Sequence, residues 1–236
     1  MIYEDENAES SVDNGDFDIA IPFRLTLEEG GEPEITVFPS LRRVAKEFTE
    51  RFGSAPERIF SKEAVNWTRE QVRPYLTERL FELCPGCGDH FINYRLGAVD
   101  RGLILPETRL ITEESGLENL TGYDFDAMDQ FGHICYGTIV GDRIVSAACT
   151  NYPCDLSDPD EPEVEIGVET HEDWRGRGFA ASNCAALASA LLGHGVGVLY
   201  ECESENTPSL KLIEKLGGRE FARNFCVVGN RVPTIF

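Results

Sequence analysis

The segment from Glu163 to Leu192 reads EVEIGVETHEDW, RGRGFA, ASNCAALASALL, three pieces with three different backbone habits. Val164 to Thr170 is rich in β-branched residues and predicts a buried strand. Arg175-Gly176-Arg177-Gly178-Phe179-Ala180 cannot extend that strand, because glycines at alternate positions free the backbone for positive φ and close approach by another group. The last piece predicts a helix with Ala180, Cys184, Leu187, Ala188 and Leu191 on one face, stopped by Gly193 and Gly195.

Strand, glycine loop and helix together form an arrangement that binds phosphate. A loop that feeds into a helix N-terminus offers unpaired N–H donors and a partial positive charge. Arg175 and Arg177 add two cations to an otherwise acidic chain. The competing reading is a tight turn with solvated arginines. A P-loop is excluded because no Gly-Lys-Ser/Thr follows, and Ala181 stands where the third glycine of a dinucleotide fingerprint belongs.

The loop resembles motif A of the GNAT acyltransferases, Gln/Arg-x-x-Gly-x-Gly/Ala, written here as Arg175 to Ala180. A second segment strengthens the likeness. Val198 to Cys202 predicts the next strand, and Asn206-Thr207-Pro208-Ser209 through Lys215-Leu216-Gly217 is similar to the family's Asn-x-x-Ser/Ala…Lys-x-Gly helix. The resemblance covers roughly Tyr94 to Phe236. It implies an α+β (mixed α/β) fold, a GNAT-like central mixed sheet flanked by helices, with an N-terminal α+β extension. The expected divisions are an acidic tail over 1–16, the extension over 17–93 and the acyltransferase domain over 94–236.

Length and 42% hydrophobic content suit one large domain or two small ones. The net charge of −21 argues against nucleic acid and anionic membranes as partners. Residues 1–18 hold seven of the acids and no base, so most of the acidity belongs to the folded part. Solubility explains that acidity, and attraction of a cationic acceptor is the sharper reading. No apolar run is long enough to span a membrane and the N-terminus is acidic, so a cytoplasmic protein with eight reduced cysteines is expected.

Along the chain, residues 1–16 predict a disordered tail. Phe17, Ile19, Ile21, Phe23, Leu25 and Leu27 alternate as a strand that Pro22 demotes to a sheet edge, with Ile35–Phe38 as its partner. Ser40 is expected to cap a helix carrying Leu41, Val44, Ala45, Phe48 and Phe52, ended by Gly53. Thr68 and Gln71 predict a capping box for a second helix with Val72, Leu76, Leu80 and Leu83 on one face. Cys84-Pro85-Gly86-Cys87 has the shape of half a zinc knuckle. With no second Cys-x-x-Cys in the chain, and His90 and a further cysteine needed to complete a ligand set, a turn without metal is expected. Tyr94 to Thr112 has room for the first strand of the transferase core. Cys135–Val140 and Arg143–Thr150 predict a hairpin turned at Gly141-Asp142.

The family likeness implies acyl transfer, with acetyl-CoA or coenzyme A as cofactor, to the amine of a small cationic acceptor. The loop Arg175, Gly176, Arg177, Gly178, Phe179 and Ala180 would hold the pyrophosphate, the backbone near Val168 and Thr170 the pantetheine arm, and Asn206 with Ser209 further cofactor groups. Glu165 and Glu203 are the candidate general bases, since an ammonium must lose a proton before it attacks. At the usual tyrosine position of the family stands Ile213, which has no proton to give; Tyr200 or Cys202 could serve instead. Two other classes stay open: a protein N-terminal or lysine acetyltransferase, and a non-catalytic acyl-CoA sensor. Expected partners are a small-molecule amine and, as an open expectation, a second copy of the chain.

Overall fold

The computed structural model describes residues 1–4, 19–84, 90–112, 116–156 and 163–232. The strands are β1 (Ile2–Glu4), β2 (Ile19–Glu28), β3 (Glu34–Val37), β4 (Phe81–Leu83), β5 (His90–Leu96), β6 (Thr108–Ile111), β7 (Glu118–Asn119), β8 (Cys135–Val140), β9 (Arg143–Thr150), β10 (Glu163–Thr170), β11 (Gly197–Glu203) and β12 (Arg219–Arg231). The helices are α1 (Arg42–Phe52), α2 (Pro56–Ile59), α3 (Lys62–Glu78), α4 (Phe125–Gln130), α5 (Phe179–Gly193) and α6 (Thr207–Lys215). Mixed sheets carry the helices, the expected α+β class. The chain divides into two compact units, Met1–Ile92 with Phe221–Phe236, and Asn93–Glu220.

In the first unit the strand order is β1-β3-β2-β12, with β1 parallel to β3 and the other pairs antiparallel. Alternation along β2 buries Phe23 and Leu25 completely, and Phe23 meets Phe48 and Phe225 at ring-centroid distances of 5.6 and 5.9 Å. Several expectations are corrected here. Residues 2–4 form a strand rather than part of a disordered tail, because β1 pairs with β3; residues 5–16 lie outside the described residues. β2 is an interior strand despite Pro22. The register against β12 shifts between Val227 and Gly229, opposite that proline, and a bulge tolerates a residue with no N–H to give.

Ser40 does not cap α1, because Pro39 opens a 3-10 turn over Pro39–Leu41 and Leu41 takes the N-cap position. The second helix starts well before Thr68. Ser61 caps it by accepting from Ala64 N at 3.2 Å, and Thr68 is buried inside the helix with its hydroxyl donating to the Ala64 carbonyl. Leu80 lies beyond α3 at φ 62, exposed. The last expected division also changes, since Phe221–Phe236 groups with the first unit. β12 from Ala222 to Asn230 pairs with β2, and ladder bonds outweigh sequence neighbourhood.

In the second unit the order is β5-β11-β10-β9-β8-β6, with β7 beside β9. β10 runs parallel to β11 and antiparallel to β9. The hairpin forms as β8 and β9, turning at Gly141 with φ 65. α5 packs on β8, β9 and β10. It is not one-faced as expected: residues 181–188 and Leu191 are all buried, whereas Ala180 stays outside the core. Its small side chains allow close approach on several sides, and a helix that is apolar almost all round belongs inside.

The polar members of that helix are matched. Asn183 accepts from Thr138 Oγ1 at 2.8 Å and Thr108 Oγ1 at 3.1 Å, and donates to Ser146 Oγ at 3.0 Å. Ser146 Oγ in turn lies 2.7 Å from Thr170 Oγ1, so the buried chain of hydroxyls reaches the end of β10. Cys135, Cys149, Cys154, Cys184, Cys202 and Cys226 are free thiols, as expected. Cys84 departs from that expectation: it is disulfide-bonded, and a disulfide sulfur has no thiolate to offer a metal. Cys87, and the turn that carries it, lie outside the described residues. No helix among the described residues is long and apolar enough to cross a membrane.

Candidate functional site

The loop between β10 and α5 turns on two glycines. Gly176 at φ 74 and Gly178 at φ 86 adopt a backbone that a side chain would strain, and a Cβ at either would point into open space. Gly178 is the N-cap of α5, and no side chain caps the helix. Among the described residues, the backbone N–H groups of residues 176–181 make no hydrogen bond. Six donors in a row without a partner at the positive end of a fifteen-residue helix are a seat for an anion.

A groove of about 450 Å³ opens at this point. Gly176, Gly178, Phe179 and Ala180 line one side, with Val168 and Thr170 from the end of β10. Ser209, Lys211, Leu212 and Lys215 of α6 line the other. Arg175, Lys211 and Lys215 bring three cations to it. Trp174 and Phe179 add aromatic wall, their rings 6.3 Å apart. Of the loop residues singled out by sequence, Arg177 is not in the lining: its guanidinium sits 4.5 Å over the Trp174 ring and donates to the Asp173 carbonyl at 3.1 Å. Asn206 caps α6 by accepting from Ser209 N at 3.2 Å and is likewise outside the lining.

The groove exists because two strands part. β10 and β11 pair from Glu163↔Gly197 to Glu165↔Leu199, yet β10 runs on to Thr170 and β11 to Glu203. Among the described residues, no pairing of β10 with β11 extends beyond Glu165↔Leu199, which leaves the edge at Val168 and Thr170 open. Glu165 marks the point of divergence. Val164 and Ile166 are buried under α5, so by alternation Glu165, Gly167 and Glu169 face the other way, as do Glu201 and Glu203 of β11.

Glu165 is half-buried and accepts a hydrogen bond from Asn151 Nδ2. Burial and the neighbouring Glu201 carboxylate push its pKa above the usual carboxylate range, against the pull of that bond. Glu203 is exposed at the end of its strand. Ile213 is buried in the core and offers no proton. Tyr200 is also buried; burial pushes its phenol up to about 12, against a hydrogen bond with Ser209. Burial first, then Glu201 and Glu203, raises the Cys202 thiol.

Unpaired N–H groups, three cations and an open strand edge fit a diphosphate ester with an amide-bearing arm, which is the chemistry of coenzyme A. Sequence reasoning missed Lys211 and Lys215 as lining residues. Their spacing of four on one helix was the available signal, because it sets both on the same face. Asn151, which donates to the Glu165 carboxylate, carried no motif that could have marked it.

A family model described as GNAT acetyltransferase matches residues 26–223. That match begins in β2, further upstream than the two motifs. Among solved structures, the chain is similar to a GNAT-family protein of Novosphingobium aromaticivorans, at 18% identity and TM-score 0.48 over 65% of this chain and 69% of that one. A GCN5-related N-acetyltransferase-like protein of Streptococcus suis is 18% identical with TM-score 0.46, over 89% and 88% of the two chains. An acetyltransferase of the GNAT family from Colwellia psychrerythraea is 14% identical with TM-score 0.43, over 82% and 76%. No curated protein matches the chain.

Proposed function

The chain belongs to the GNAT acetyltransferase family, and on that premise we propose that it moves an acetyl group from acetyl-CoA to the amine of a small cationic acceptor. When bound, acetyl-CoA supplies the acetyl group as a thioester, whose carbonyl carbon takes the new bond from nitrogen while the C–S bond breaks and sulfur leaves with the electron pair. The N–H groups of residues 176–181, with Arg175, Lys211 and Lys215, would hold the diphosphate. The open edge of β10 at Val168 and Thr170 would pair with the amides of the pantetheine arm.

An ammonium has no lone pair, so a base must take its proton first. Glu165 suits that task, because burial and Glu201 move its carboxyl toward the working pH. Glu203 is the second candidate. The carboxylates of Glu165, Glu169, Glu201 and Glu203 on one sheet face favour a cationic acceptor over a neutral one.

The observation that carries this reading is the run of unpaired N–H groups opening into a groove lined by Arg175, Lys211 and Lys215 and by the end of β10 at Val168 and Thr170. A thiol-release assay with acetyl-CoA across a panel of amines, read against a no-acceptor control, tests it. Release above the control with primary amines is expected. Coenzyme A binding with no release for any amine would leave a non-catalytic acyl-CoA sensor, and no binding at all would sink the cofactor reading as well.

A further inference from the structure

A sulfur that leaves with an electron pair needs a donor, and Ile213, buried in the core, has none to offer. One turn earlier on α6 stands Ser209, at a seam of the helix. Pro208, Lys211, Leu212 and Lys215 line the groove with it, while Ile213 and Leu216 are buried in the core. With about 3.6 residues per turn, Ser209 falls between those two faces. On the core side lies Tyr200 of β11, 4% exposed and in the same cluster as Ile213 and Leu216. The phenol and the Ser209 hydroxyl share a hydrogen bond. Among the described residues, neither hydroxyl has another hydrogen-bond partner.

A buried phenol has one proton to place. Ser209 Oγ is the acceptor in reach, so Tyr200 donates to it, and the serine proton is left for the groove. Ser209 is also fixed through its backbone, whose N–H donates to Asn206 Oδ1 at 3.2 Å. Thr170, the other hydroxyl in the lining, is already joined to Ser146 Oγ at 2.7 Å.

We propose, building on the acetyl-transfer reading above, that the Ser209 hydroxyl, oriented by Tyr200, donates a hydrogen bond to the sulfur of coenzyme A as the thiolate leaves. Ser209 is then a catalytic residue and Tyr200 a positioning residue. The serine keeps its proton, since an alcohol is a far weaker acid than a thiol. Its bond stabilises the charge that sulfur gains on taking the C–S electron pair. The phenol polarises the serine O–H and strengthens that donation. The acetyl carbon takes its new electron pair from the amine nitrogen, so the step balances without a proton from α6.

Calorimetry with coenzyme A and with desulfo-coenzyme A, which carries hydrogen in place of the thiol, tests this. It is run at about pH 7 and about pH 10, on either side of a thiol's ordinary pKa. Tyr200 stays protonated at both, because burial pushes it up to about 12. At the higher pH, wild type is expected to bind coenzyme A more tightly than the desulfo compound. Ser209→Ala and Tyr200→Phe should each weaken coenzyme A binding there by about tenfold, leave the desulfo compound unchanged, and lower kcat. Ser209→Thr keeps a hydroxyl and should keep the preference. Titration of the groove's charged groups, Glu169, Arg175, Lys211 and Lys215, acts on both ligands alike, because both carry the same phosphates. Equal losses for the two ligands in Ser209→Ala, or no loss for coenzyme A, would overturn the sulfur contact and leave the acetyl-transfer reading standing. If wild type binds neither ligand, the cofactor reading falls and the contact falls with it.

Discussion

Asn151 and Glu165 are tied twice, side chain to side chain and backbone to backbone, with Asn151 N–H donating to the Glu165 carbonyl at 2.8 Å. Asn151 is the first residue after β9, and Glu165 is the last residue at which β10 still pairs with β11. The tie therefore fixes a carboxylate at the place where the sheet opens. A base held on a strand by two bonds keeps its position better than one carried by a loop.

Glu165→Gln keeps the shape of the side chain and removes the base. A loss of about 10²–10⁴-fold in kcat is expected, with coenzyme A affinity unchanged, because the cofactor is held by backbone and cations elsewhere. Steady-state kinetics over a pH series check this. A variant with near-normal kcat and an unaltered pH profile would move the role to Glu203.

The same residue makes stability depend on pH. The raised carboxyl means the folded chain binds this proton more tightly than the unfolded chain does. Stability then falls as pH rises from the ordinary glutamate value of about 4.3 through the raised folded value. Relative to wild type, Glu165→Gln should gain stability over the range that starts at that ordinary value and runs upward through the raised one. Urea midpoints across that range measure it, and a difference that does not change with pH would contradict the raised carboxyl.

Gly178→Val puts a β-branched residue at φ 86, at the head of α5 and beside the unpaired N–H groups. A large loss of coenzyme A affinity is expected while the circular dichroism spectrum is kept. Calorimetry showing unchanged binding would remove the loop from the cofactor site.

Lys211→Ala and Lys215→Ala should each weaken coenzyme A binding by about tenfold at low salt. The loss should shrink at high salt, because exposed charges are screened. A loss that does not respond to salt would assign the lysines to packing through their methylene stems.

Asn183→Ala removes one partner each from the hydroxyls of Thr108, Thr138 and Ser146, of which Thr138 and Ser146 are fully buried. A destabilisation of about 2–4 kcal/mol is expected from three lost hydrogen bonds at a buried site and the space left behind. Urea unfolding of wild type and variant decides it.

Local backbone preferences made part of this chain legible in one dimension. Glycines at positions 176 and 178 and the apolar run after them are enough to specify loop and helix, since positive φ and helix propensity are properties of neighbouring residues. Alternation likewise placed Glu165 opposite Val164 and Ile166 before any fold was known. The hairpin of β8 and β9 could be read from its Gly-Asp turn and flanking residues for the same reason. Capping was less legible: Ser40 and Thr68 have the right chemistry for caps, but Pro39 and the buried face of α3 decided where those helices begin. Pairing between distant strands decided the rest. β12 joins β2 across about two hundred residues of sequence, which no local signal records. The parting of β10 and β11, the lysines of α6 across the groove, and the bond from Asn151 to Glu165 all depend on which strands and loops become neighbours. Burial and charge proximity then set the protonation of Glu165, and those are properties of three-dimensional surroundings that residue order alone does not carry.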